Sequence, residues 1–251
     1  MNVYIDNIIF SLQSAGGISR YWGHLCKHLM ESNHDVFFYG DKKSKNFFKP
    51  ENVIENVESK FPYKFLRYLP FQHKLPKSAI FHSSYYRFST NKDVYNITTV
   101  HDFTYEKFNK GLPKIVHSIQ KSNAIKRSAG IICVSKNTKK DLLDIYPGID
   151  PNIVRVIYNG VSDRFFPIES GKKNILFKNY FPNIVLRPYV LFVGQRSGYK
   201  NFSILEEAVS KMTDMGIICV GGEKIDTRLL ARLNSNSNWA IHIPFLSDDK
   251  L

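Results

Sequence analysis

Short apolar runs alternate with helix-like segments along almost the whole chain, and this alternation constrains the fold more than any other feature. Strand-like runs fall at Asn2–Ile9, Val36–Tyr39, Ala79–His82, Ile97–His101, Gly130–Val134 and Arg155–Tyr158. Between them, Gly17–Glu31 approximates helical spacing through Ile18, Tyr21, Leu25, His28 and Leu29, and helices are expected at Pro113–Arg127 and Asn137–Tyr146. Strand, helix, strand in repetition packs as a doubly wound parallel sheet, so the fold class is α/β. Ligands of such sheets bind beyond the carboxyl ends of the strands.

The interruptions GKKN and FPN mark a break before the pattern restarts. We therefore expect a first Rossmann-like unit over 1–165, a linker over 166–187, and a second unit over 188–251. The second reads as strand Tyr189–Val193, helix Ser203–Met212, strand Gly216–Val220, helix Thr227–Leu233 and strand Trp239–Ile243. The sequence stops at Leu251, at what reads as the first turn of another helix. A unit of about 65 residues is small for a doubly wound domain, so it is expected to be partial.

The net charge of +13 favours anionic partners: nucleic acid, nucleotides, phosphorylated substrates or an acidic membrane surface. No apolar run reaches membrane-spanning length, and the start, MNVYIDNIIF, carries Asp6 and no basic n-region, so it reads as a strand rather than a signal peptide. Cys26, Cys133 and Cys219 are widely separated and sit among apolar residues, which predicts buried thiols in a reducing compartment.

Four stretches carry chemistry. In PYVLFVGQRSGYKN (188–201) a strand runs into Gly194, and Arg196 and Lys200 follow before a helix start. A glycine turn exposes backbone N–H groups, a helix N-terminus favours anions, and the cations add full charges, so this is a seat for phosphate. It is not a Walker A loop, because no Lys-Ser/Thr pair follows the glycines. Gly16 and Gly17, between the first strand and first helix, let a backbone approach a ligand closely, although the spacing of a dinucleotide fingerprint is missing. His101 and Asp102 end the strand ITTV on the ligand edge; His82, ending another strand in FHSSYY, competes for any histidine role. Finally, Phe61–Lys77 mixes aromatic and aliphatic residues with Lys64, Arg67, Lys74 and Lys77 and contains no acid. It suits either an anionic bilayer surface or rings packed on the core.

Taken in order, the blocks GGISRY (16–21), FHSSYYR (81–87), TVHDFTYEKF (99–108), SAGIICVSKNTKKDLLDIYP (128–147), VIYNGVSDRFFP (156–167), PYVLFVGQRSGYKN (188–201) and IHIPFLSDDKL (241–251) resemble the retaining nucleotide-sugar glycosyltransferases of family 4, which have the two-domain GT-B fold. The resemblance implies that Arg196 and Lys200 hold the donor diphosphate. Gly16 and Gly17 match the loop approaching the donor phosphates and reacting sugar, and His101 the histidine beside that sugar. Asn159 and Gly160 match the hinge between domains. FHSSYYR and VHDFTYEKF resemble blocks of bacterial polysaccharide and O-antigen (lipopolysaccharide) transferases acting on lipid-linked glycans.

The implied partners are a nucleotide-diphosphate sugar, a glycan or lipid-linked acceptor and an anionic membrane, with a cytoplasmic, peripheral location. No cofactor is implied, and no metal, since no D-x-D motif is placed to hold one. Family members continue into a helix with two glutamates that bind donor sugar and ribose. The chain ends before it, which predicts a C-terminally truncated member with weak donor binding, self-association, and a partner fragment completing the second domain. The alternative is a non-catalytic remnant or subunit that binds acceptor or membrane. A nucleic-acid binder is the weaker rival, because the cations are dispersed and no reading module is present.

Overall fold

The computed structural model describes residues 2–58, 61–162, 165–182, 187–196, 198–228, 231, 238–244 and 246. The chain divides into two compact units, Met1–Gly160 and Val161–Leu251.

The first unit is a seven-stranded parallel sheet: β1 (Val3–Asp6), β2 (Val36–Tyr39), β3 (Glu55–Asn56), β4 (Ile80–Ser83), β5 (Tyr95–Val100), β6 (Gly130–Cys133) and β7 (Val154–Val156), in the order β3-β2-β1-β4-β5-β6-β7. The order reverses between β1 and β4, so the crevice of a doubly wound sheet falls beyond their carboxyl ends. The first strand is shorter than Asn2–Ile9. Phe10 N–H donates to Asn7 O and Ile9 N–H to Ser84 Oγ, turning the chain into the short helix α1 (Ile9–Leu12).

Helix α2 (Gly17–Met30) buries Ser19, Trp22, Gly23 and Cys26, one stripe at helical spacing. A Cβ on Gly23 would lie 2.2 Å from the carbonyl oxygen of Phe48, so only glycine lets that loop pass so closely. The remaining helices are α3 (Tyr63–Leu66), α4 (Thr104–Phe108), α5 (Leu112–Lys126) and α6 (Lys136–Ile145). The Ser135 hydroxyl caps α6 by accepting from Thr138 N–H.

A buried ionic knot ties the switch point together. Arg87 donates to Asp6 Oδ2 at 3.1 Å and to Glu58 Oε1 at 2.6 Å, and both its partners and its own side chain are shielded from water. Burial raises the Asp6 carboxyl above its ordinary value, and Arg87 and the Ser83 hydroxyl oppose that rise. The arginine of FHSSYYR therefore fastens the loop after β4 to β1.

The second unit holds β8 (Tyr189–Val193), β9 (Gly216–Val220) and β10 (Trp239–Ile243) in the parallel order β10-β9-β8. Central β9 is buried along its whole length, and α8 (Phe202–Ser210) covers it through Phe202 and Val209, packed with Ile217 and Cys219. The stretch 166–187 is not a plain linker. It contains α7 (Ser170–Tyr180), whose Phe177 meets Tyr189 and whose Lys173 sits over the same ring. Gly171 falls in the first turn, where glycine costs a helix little, and Pro182 follows the end. Accordingly the division falls after Gly160 and places α7 in the second unit. Most of the helix expected at Thr227–Leu233, and the segment after 246, lie outside the described residues.

Cys26, Cys133 and Cys219 are buried and unpaired, as their apolar surroundings predict. Among the described residues no helix is long and apolar enough to cross a membrane, and no three His, Cys, Asp or Glu side chains gather as metal ligands.

Candidate functional site

In the first unit the predicted site residues meet at the carboxyl edge of the sheet. His101 follows β5, and its ring packs edge-on against Tyr21 of α2 with centroids 5.1 Å apart. Tyr21 is one turn from Gly17, so this contact brings the start of α2 to the histidine. Gly16 precedes the helix with an extended backbone, and no atom lies within 4 Å of where a Cβ on Gly17 would stand. The first-turn N–H groups of a helix have no intrahelical acceptor, so this open end suits an anion. Burial lowers the His101 pKa to about 4, aided by Lys121 and opposed by Asp102, so the ring is neutral at ordinary pH.

His82 is placed differently. Its Nε2 lies 2.9 Å from Thr99 Oγ1, its ring meets Trp22, and it is buried. Burial, with His101 adding, lowers its pKa to about 3. It is a satisfied core residue beneath the edge, not a rival for ligand chemistry.

The loop carrying His101 is held by residues that sequence reasoning did not single out. Lys121, fully buried on α5, donates to Asp102 O at 2.9 Å and to Glu106 Oε2 at 2.8 Å. Its ammonium also lies over the rings of Phe103 and Tyr86, 4.5 and 5.4 Å from their centroids. Burial works to raise Glu106, but His117 and Lys121 outweigh it and bring its pKa down to about 2. Fifteen residues separate Glu106 from Lys121, and nothing in the local pattern pairs them; TYEKF offers only an unassigned acid.

In the second unit Arg196 and Lys200 stand on the turn after β8. Arg196 Nη1 donates to Gly221 O at 3.2 Å, and Lys200 Nζ donates to Val193 O at 3.2 Å. Those bonds leave most of their N–H donors for a ligand. Gly194 has φ +110°, a conformation that favours glycine, and the space a Cβ would fill is taken by the end of the flexible Lys200 side chain, whose Nζ would lie 2.2 Å away. The turn after β9 meets it: Gly221 and Gly222 have φ +77° and +71°, and a Cβ on Gly222 would lie 2.8 Å from Gly194 O. His242 Nε2 is 3.2 Å from Gly221 O. Gly221, Gly222 and His242 are additions to the predicted set, because only the pairing of β9 with β8 and β10 brings them beside Gly194. Asn159 and Gly160 are the last two residues of the first unit.

Comparison with known proteins bears on the family and the fold. Residues 15–165 match the family model described as Glycosyltransferase Family 4. Alpha-maltose-1-phosphate synthase of Mycobacterium tuberculosis is 28% identical over 103 residues, which are 39% of this chain and 26% of that enzyme. The match thus spans about a quarter of the relative. Among solved structures, sucrose-phosphate synthase of Thermosynechococcus elongatus aligns over 99% of this chain and 71% of its own, with TM-score 0.64 and 12% identity. A glycosyltransferase of Rickettsia africae aligns over 99% and 69%, with TM-score 0.58 and 19% identity. Anabaena HepE in complex with UDP-glucose aligns over 99% and 70%, with TM-score 0.57 and 12% identity. At such identities these structures speak for the fold alone, the GT-B arrangement of Rossmann-like α/β units. The family match covers more than half of the chain: it belongs to Glycosyltransferase Family 4.

Proposed function

We propose that this chain is a retaining glycosyltransferase, moving a sugar from a nucleotide-diphosphate donor to a glycan or lipid-linked acceptor in polysaccharide or O-antigen assembly. The observation that carries this reading is the meeting of two glycine turns at one strand edge of the second unit, with Arg196 tethered across to Gly221 and Lys200 held back on Val193. Positive φ at Gly194, Gly221 and Gly222 removes side chains where a diphosphate must approach backbone, and the two cations oppose its charge. HepE, which shares the fold, was solved with UDP-glucose.

In this reading the bond from the sugar's anomeric carbon to the diphosphate breaks and a bond to the acceptor hydroxyl forms on the same face. The acceptor's proton leaves with the released diphosphate. Arg196 and Lys200 stabilise the charge that develops on the leaving group. His101 attends the transferring sugar; its neutral ring places no positive charge beside an oxocarbenium-like centre. Gly16 and Gly17 give the donor access to the N-terminus of α2, and Asn159–Gly160 serves as the hinge. Peripheral attachment through Phe61–Lys77 brings the enzyme to a lipid-linked acceptor.

The test is transfer itself. The protein is incubated with UDP-, GDP- and dTDP-sugars and a lipid-linked oligosaccharide, and nucleotide release and product anomer are followed by NMR. Acceptor-dependent release with the donor's anomeric configuration is expected. An inverted product contradicts retention, and no transfer from any donor contradicts the whole reading.

A further inference from the structure

The segment Phe61–Lys77 does not stand on the surface as one piece. Leu66, Phe71 and Leu75 turn into the core, while Phe61, Phe65 and Tyr68 remain about half exposed, at 51%, 50% and 51%. Lys64 lies over the Phe65 ring and Arg67 over that of Tyr68, so the exposed rings carry cations beside them. Helix α5 offers a second exposed apolar row: Leu112, Ile115 and Ile119 are 71%, 54% and 56% exposed. Their spacing puts them on one side of the helix, opposite the face that buries Lys121, Ala124 and Ile125. Phe108, at the end of α4, is exposed beside this row in sequence.

These two surfaces are neighbours. The Gln120 amide of α5 donates to the carbonyl of Arg67, and a groove of about 360 Å³ between them is lined by Tyr68 and Leu112 among others. The charge is one-sided. From Glu58 to Asp93, and again from Glu106 to Asp141, the chain carries no Asp or Glu, whereas Lys64, Lys110 and Lys114 fall beside the apolar residues. Of the four carboxylates bounding these stretches, Glu58 and Glu106 pair with Arg87 and Lys121, and Asp93 and Asp141 with Lys77 and Lys107.

We infer that the exposed faces of α3 and α5 form one docking surface for an anionic lipid bilayer. Side chains of Phe61, Phe65, Leu112, Ile115 and Ile119 enter the acyl boundary and the lysines remain at the headgroups. A row of isolated apolar side chains on an ordinary solvated helix has no need of two adjoining acid-free stretches. An interfacial surface needs both, because each lysine near an anionic bilayer strengthens binding roughly fivefold and the apolar row supplies the remainder. The inference extends the peripheral attachment in the reading above to α5, and it can fail independently of glycosyl transfer.

The experiment is vesicle flotation of the full chain on phosphatidylcholine alone and on equimolar phosphatidylcholine and phosphatidylglycerol. Recovery should be much higher on the anionic vesicles and fall about tenfold or more as salt is raised. The triple variant Leu112→Glu, Ile115→Glu, Ile119→Glu alters only exposed positions and should lose flotation while keeping the wild-type melting temperature. Should that variant melt early, Lys110→Glu with Lys114→Glu provides the second test, with the same loss expected. Equal recovery on both vesicles, or variants that float like wild type, overturns the inference. So does a wild-type dimer that the triple variant splits while neither protein floats, since the occupant is then a second copy. UDP-sugar binding in the same samples separates the two claims: donor binding without flotation sinks only the surface, and flotation without donor binding only the transferase reading.

Discussion

Replacing Lys121 with methionine isolates the device that holds the His101 loop. Methionine keeps an unbranched stem of similar length, so the pocket under Phe103 stays filled while the charge and its donors disappear. The native ammonium satisfies Asp102 O and Glu106 Oε2 at 2.9 and 2.8 Å with none of its side chain exposed. The variant leaves the Glu106 carboxylate, itself only 10% exposed, facing His117 Nδ1 at 3.7 Å without the ammonium that opposed its charge. Breaking one half of a buried pair in this way costs about 3–5 kcal/mol. In a chain of this size that corresponds to a melting temperature lower by roughly 6–20 °C in calorimetry. A second readout separates loop positioning from bulk stability. Lys121 helps to hold the His101 pKa near 4, so removing it should raise the imidazole titration seen by NMR. Adding Glu106→Gln should recover part of the lost stability, because the stranded carboxylate is then gone. A loss under about 1 kcal/mol with an unmoved His101 titration would refute the reasoning.

Other outcomes follow from the same geometry. His82 and His101 are held neutral, at about 3 and about 4 against an ordinary 6.5. The unfolded chain therefore takes up protons first, and stability should fall as pH drops from about 6.5 toward 4, by up to about 1.4 kcal/mol per pH unit for each fully neutralised ring. Glu106 is depressed to about 2, so its contribution, present above about 4.5, should be lost between there and about 2; urea titrations across pH follow both windows. Gly222→Ala meets a φ of +71° and the Gly194 carbonyl, and should destabilise the second unit by more than about 1 kcal/mol while weakening donor binding. His101→Ala should lower turnover strongly with a smaller loss of melting temperature than Lys121→Met, since the hydrogen bond His101 accepts from Thr138 is made by its backbone carbonyl and survives the change.

The doubly wound pattern was legible because period and punctuation agree. The strands at Val36–Tyr39, Tyr189–Val193, Gly216–Val220 and Trp239–Ile243 have the expected bounds. Helix α7 was hidden by its glycine, which reads as a breaker until its place in the first turn is known. The turn proposed to seat phosphate was legible as a strand-to-helix turn because strand, glycine, cations and helix start lie within fourteen residues. Its partner at Gly221–Gly222 was not, because only the pairing of β8 with β9 brings the turns together. The knot of Asp6, Glu58 and Arg87 was equally hidden, since it joins the end of β1 to two loops far from it in sequence. For Phe61–Lys77 the composition left two readings, and the structure divides the residues between them: Leu66, Phe71 and Leu75 go to the core and Phe61, Phe65 and Tyr68 to the surface.

The account's central claim, that Arg196 and Lys200 seat a nucleoside diphosphate, is tested most directly by calorimetric titration of UDP and GDP into wild type, Arg196→Ala and Lys200→Ala. At least one diphosphate should bind wild type, each substitution should weaken it about tenfold or more, and the matching nucleoside should bind all three proteins alike. Equal diphosphate affinity in all three proteins, or no binding of either diphosphate to wild type, would contradict it.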